Sequence, residues 1–166
     1  MNKIMILALL FIRVAFAADP LTQPIPNQNG FDTMDMAATE ALKECIKLST
    51  KFEYGGVILE WNGKFYFTNP ITSKSDKEIG TFRIAFYKGS KVVGLYHTHP
   101  PGFNSDIFSS SDVKFADDKS WVSYIAVINE SKSRVLRYTP GKTSKEIKHH
   151  LITEGEVSDG DPVSAI

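Results

Sequence analysis

The segment that most constrains this chain runs from Val92 to Asp112. Val92-Val-Gly-Leu-Tyr96 is an apolar run that predicts a strand, and it leads into His97-Thr98-His99-Pro100. Residues i and i+2 of an extended chain leave the same face, so His97 and His99 project side by side. Pro100 and Pro101 cannot continue a hydrogen-bonded ladder, which sets the pair at the strand's end. Ser109 follows, with Asp112 three residues beyond it, where a helix can begin. Two imidazoles and a carboxylate form a three-ligand set typical of a zinc ion with its fourth position open to water. Such an arrangement belongs to catalytic rather than structural sites.

Each part has an ordinary alternative. Lone His-x-His pairs are mostly surface or core residues, and Ser-x-x-Asp is also a common helix start. Their combination with an upstream element says more. Phe52-Glu53-Tyr54-Gly55-Gly56-Val57-Ile58-Leu59 puts an acidic residue at the mouth of a strand, beside two glycines that let another backbone approach closely.

Glu53 with Gly-Gly and a strand, then His97-Thr98-His99-Pro100, then Ser109-x-x-Asp112, resembles the signature of the JAMM metallopeptidases, which include the Mov34-like deubiquitinases. The likeness extends to the Gly-Phe after the His pair and to Ser-Ser-x-Asp-Val. The chain is also similar to an uncharacterised bacterial group of domains found at the ends of Rhs-type toxins. Nine residues separate His99 from Ser109, about two more than the family's usual gap, and a longer loop costs little closure entropy. Ser105 competes for the serine role, but Ser109 alone keeps the three-residue step to Asp112.

The resemblance implies an α+β domain with a three-layer α/β/α tendency: a mixed, curved β-sheet flanked by helices, of the JAMM/cytidine-deaminase-like kind. It implies one Zn²⁺ per chain held by His97, His99 and Asp112. Glu53 would move the proton of the attacking water, and Ser109 would donate to the oxyanion. The expected reaction is amide hydrolysis on a peptide, isopeptide or peptidoglycan-peptide substrate. The rival reading is a non-catalytic binding or scaffold module in the cell envelope or in a secretion or toxin system. A zinc deaminase wants His-x-Glu and Pro-Cys-x-x-Cys, which a chain with one cysteine does not offer.

Residues 1–17 read as an export signal, with Lys3, the apolar run Ile4–Ile12 and the small-x-small site Ala15-Phe16-Ala17. That apolar run is too short to span a bilayer. The expectation is a periplasmic or secreted protein with no membrane span after cleavage. The 19 basic and 19 acidic residues balance, and losing Lys3 and Arg13 leaves the chain slightly acidic, so nothing points to nucleic acid. The lone Cys45 cannot form an internal disulfide and sits in an amphipathic pattern, which makes it a core residue.

Residues 18–31 read as an extended leader with no packing of its own, followed by the domain at 32–152. A helix is expected from Asp32 or Thr33 to Ser49, its apolar face formed by Ala38, Ala41, Leu42, Cys45, Ile46 and Ser49. Asn62-Gly63 predicts a hairpin turn between strands 53–60 and 64–68. A loop at 69–80, a strand at 81–86, a short helix at 113–119 and strands at 121–128 and 134–138 complete the pattern. Residues 144–152 suggest a last helix, and 153–166 a mobile tail. His149-His150 reads as a solvated pair.

Overall fold

The computed structural model describes residues 20–49, 51–101, 107–128 and 133–141, and the backbone of 161–165. The export signal at 1–17, Ser105, the helix at 144–152 and His149-His150 lie outside the described residues.

Ten elements follow in order: β1 (Leu21–Thr22), α1 (Met34–Leu48), β2 (Gly55–Trp61), β3 (Lys64–Phe67), β4 (Arg83–Ile84), β5 (Lys91–His99), α2 (Ser110–Lys119), β6 (Val122–Val127), β7 (Arg134–Tyr138) and β8 (Asp161–Ala165). Six strands form one mixed sheet in the order β3-β2-β5-β6-β7-β8, in which only β5 and β6 run parallel. Parallel neighbours need a crossover, and α2 lies on that connection. The crossover fixes the site, because it starts where the His pair ends.

Side-chain alternation sorts the core into two faces. On one, Ala37, Ala38, Ala41, Leu42 and Cys45 of α1 pack against Ile58, Phe67, Tyr96, Tyr124, Ala126 and Val135. On the other, Val113 and Ala116 of α2 pack with Phe108 against Ile125, Val127, Leu136 and Tyr138. Val57, Leu59, Tyr66 and Leu95 continue this second face and are covered by Ile79, Phe82, Ile84 and Tyr87. The result is an α+β domain with one helix on each face of the sheet. Full burial of a side chain such as Leu42 contributes about 1.5–3 kcal/mol.

α1 starts at Thr33, whose side chain accepts from the Met36 N–H, as an N-cap should. Cys45 is fully buried, and burial, with Glu44 nearby, pushes its thiol well above the ordinary range. That is an inert core thiol. The β2–β3 turn has positive φ at both Asn62 and Gly63, the conformation that an Asn-Gly pair favours.

Three expectations are corrected. The leader is packed rather than loose. Leu21 and Thr22 pair with Arg83 and Ile84, Pro24 bridges to Thr68 and Phe31 to Phe65, and the Gln28 side chain bonds both the N–H and the C=O of Phe67. Thr22 is fully buried, and its hydroxyl reaches Thr68 Oγ1 at 2.6 Å. The strand expected at 81–86 shrinks to Arg83–Ile84 and joins this side sheet, not the main one. Finally, residues 161–165 of the expected tail form β8 along β7. Its Pro162 is accommodated because an edge strand can lack an N–H on its outer side.

Candidate metal centre

β5 brings the imidazoles together. His97 and His99 leave the same face, and their Nε2 atoms stand 3.1 Å apart. Both rings are buried. Asp112, in the first turn of α2, sets Oδ1 at 3.3 Å from His97 Nε2 and Oδ2 at 3.4 Å from His99 Nε2. The longer loop after His99 therefore does not keep the carboxylate away.

The start of α2 is pinned at two points. Ser109 is the N-cap, and a full capping box joins it to Asp112: Asp112 N–H donates to Ser109 Oγ, and Ser109 N–H donates to Asp112 Oδ2 at 2.9 Å. Phe108, immediately before the cap, is wholly buried and packs in one cluster with Val113. This is the hydrophobic staple that fixes how a chain enters its helix. The Ser109 hydroxyl also donates to Asp112 Oδ2 at 2.7 Å and lies 2.8 Å from Ser111 Oγ. The structure thus places Ser109 beside the carboxylate, with a capping role that Ser-x-x-Asp spacing encodes independently of chemistry.

Glu53 reaches the centre through sheet register. Gly55 pairs opposite His97, and the same antiparallel register continues past the end of β2. Thr98 N–H donates to Tyr54 O at 2.9 Å, which sets Glu53 opposite His99 and on the imidazole face. Its backbone N–H is held by Ser75 O at 2.8 Å, and the residue is only 7% exposed. Gly55 is required at this crossing. A Cβ there would lie 2.4 Å from Tyr96 O and 2.8 Å from His97 Cβ.

The donor set suits a divalent cation. The ligand atoms of His97, His99 and Asp112 all lie within 4.8 Å of one another. The two Nε2 atoms stand 3.1 Å apart, and each meets a different Asp112 oxygen at 3.3–3.4 Å. Two imidazole nitrogens and a carboxylate converging in this way are a donor set of the kind that a divalent cation takes. Among the described residues His97 Nδ1 is buried without a hydrogen-bond partner, and Nε2 is the atom that this ring turns to the cluster.

Electrostatics agree. Burial alone would raise the Asp112 carboxyl, but the two imidazoles override it and hold it far below the carboxylate range. Burial would lower His97, but Asp112 and then Glu53 overcome that and raise it. For Glu53, burial wins over the pull of His97 and His99, and its carboxyl sits above the ordinary value.

Two residues behind the centre, on the other face of the sheet, have no site role in the sequence pattern, where Ser49 is read only as part of the helix's apolar face. Thr98 and Ser49 are buried on the α1 side of the sheet and bonded to each other. Strict alternation along His97-Thr98-His99 is the signal that would have found Thr98, since it forces the middle side chain onto the opposite face.

Fold and site together define an α+β domain with a His-His-Asp cluster at the end of a central strand and a buried glutamate beside it. Residues 30–139 match the family of prokaryotic homologs of the JAB domain, and the chain belongs to that family, a JAMM/Mov34-like domain. No curated protein and no solved structure shows significant similarity to it.

Proposed function

We propose that this protein is an exported zinc-dependent peptidase or isopeptidase that hydrolyses an amide bond with activated water. The observation that carries the reading is the convergence of His97, His99 and Asp112, whose ligand atoms lie within 4.8 Å of one another, with Glu53 buried on the same face. These three side chains would hold one Zn²⁺ per chain. Bound there, zinc supplies Lewis-acid chemistry and brings the pKa of a water down to about 7.

The chain's own groups do the rest. Glu53, near the cluster but outside the ligand set, takes the proton of the attacking water and delivers it to the departing amine. Ser109 turns its hydroxyl toward the developing oxyanion. It can do so at small cost because Asp112 Oδ2 keeps the Ser109 backbone N–H as a donor. His97 and His99 are held by the β5 ladder, and Asp112 by the pinned start of α2, so the donors need no large rearrangement. Peptide, isopeptide and peptidoglycan cross-links all present the required amide. Export through residues 1–17 points to the periplasm or beyond, and no helix among the described residues is long and apolar enough to cross a membrane.

Zinc content per chain tests the centre. Wild-type protein prepared without chelators should carry close to one zinc, and Asp112→Ala should lose it. A metal-free wild type would turn the reading toward a scaffold. Turnover is tested separately by peptide and muropeptide release, which Glu53→Gln should abolish while the metal stays bound.

A further inference from the structure

We infer that Thr98, the residue between the two imidazoles, is a positioning residue that holds Glu53 against the metal centre through the opposite face of the sheet. This rests on the reading of the site just given. Thr98 is completely buried, and alternation sends its side chain away from the cluster toward α1.

There its hydroxyl is the hub of a small network. It accepts from the Tyr54 backbone N–H at 3.1 Å and lies 3.0 Å from Ser49 Oγ, to which it donates. Ser49 Oγ in turn donates to Phe52 O at 2.9 Å, and Thr98 N–H donates to Tyr54 O. Ser49 is also the C-cap of α1, its N–H bonded to Cys45 O. The backbone on both sides of Glu53, at Phe52 and at Tyr54, is therefore tied to the central residue of the His strand and to the end of α1. β2 begins only at Gly55, so these bonds add to the Ser75 contact in fixing the segment that carries Glu53 ahead of the strand.

A β-branched residue with a hydroxyl is what the position needs. Valine would keep the shape and the strand but leave the Tyr54 N–H and the Ser49 hydroxyl short of a partner. Serine would keep the bonds and give up a methyl group. If Thr98 merely filled the core, these two variants would rank the other way.

The test compares Thr98→Val and Thr98→Ser in the full chain. In metal-free protein, Tyr54 amide hydrogen exchange should quicken about five- to tenfold in Thr98→Val, the equivalent of one hydrogen bond's net worth, and stay near wild type in Thr98→Ser. In protein loaded with Co²⁺ alone, the visible spectrum of Thr98→Val should move toward that of Glu53→Gln, and Thr98→Ser should overlay wild type. Adding Thr98→Val to Glu53→Gln should change the spectrum no further. Ser49→Ala, a milder change at the network's edge, gives the same comparison if Thr98→Val fails to fold. Unchanged Tyr54 exchange, or a Thr98→Val spectrum identical to wild type, overturns the inference while leaving the metal centre standing. Wild type that takes up no Co²⁺ overturns the metal centre itself, and this inference with it.

Discussion

Ser109 admits two readings that sequence spacing cannot separate. Ser-x-x-Asp reads equally as a helix start and as part of a hydrolytic site, and the geometry satisfies the first completely. Ser109→Ala should cost about 0.5–2 kcal/mol of stability through the lost cap. If the hydroxyl also serves the oxyanion, turnover should fall by about 10²–10³. Chemical denaturation and single-substrate kinetics on the same variant divide the two, and a stability loss with unchanged kcat would leave Ser109 a cap alone. Gly55 is more sharply defined. Gly55→Ala puts a Cβ against the Tyr96 carbonyl and the His97 side chain, so β2 must shift from β5 at the level of the first imidazole. Overpacking of this kind costs about 1–3 kcal/mol. We expect a lower melting temperature together with weaker zinc uptake, and retention of both would refute the close approach. The two glycines were legible as a point of backbone contact. That the contact is His97 was not, because register between distant strands is not written in local pattern.

At the level of elements, the pieces with strong internal periodicity were legible and their partners were not. α1 follows from three- and four-residue spacing, and the β2–β3 hairpin from Asn62-Gly63. The pairing of β1 with β4 escaped because two-residue strands have no measurable period, and β1 is anchored by Thr22 meeting Thr68 and Asn69 across the chain. The start of α2 was expected at Val113 but lies at Ser110, since the capping box and the Phe108 staple add a turn that apolar spacing does not reveal. Two core truncations separate general stability from site geometry. Phe108→Ala should cost about 3–5 kcal/mol and Leu42→Ala about 2–5 kcal/mol, measured by denaturant midpoint. Only Phe108→Ala should also weaken zinc binding in a metal titration, because only it loosens the helix that carries Asp112. Equal metal affinity in the two variants would argue against a staple that positions the ligand.

For the molecule as a whole, the centre joins β5, the start of α2 and the segment ahead of β2 on one face of the sheet, so binding a cation should stabilise all three at once. A ligand at about 100 times its Kd adds about 2.7 kcal/mol. For a domain of this size each kcal/mol raises Tm by about 2–4 °C, so zinc should lift the melting temperature by roughly 5–10 °C. Chelation should reverse the gain, and Asp112→Ala should show none. A melt insensitive to zinc in the wild type would count against a preformed site. The fold class was legible through the resemblance carried by Glu53 with Gly-Gly, His97-Thr98-His99-Pro100 and Ser109-x-x-Asp112. The parallel pairing of β5 with β6 was not, although it sets the crossover that delivers the carboxylate.

That crossover has an evolutionary corollary. The three candidate ligands sit on one stretch of sequence from His97 to Asp112, whereas the glutamate arrives from the segment just ahead of β2. The candidate ligands and the proposed general base thus lie on different segments of the chain. A lineage could silence the reaction by altering one position ahead of β2 and still keep an ion-loaded, foldable adaptor.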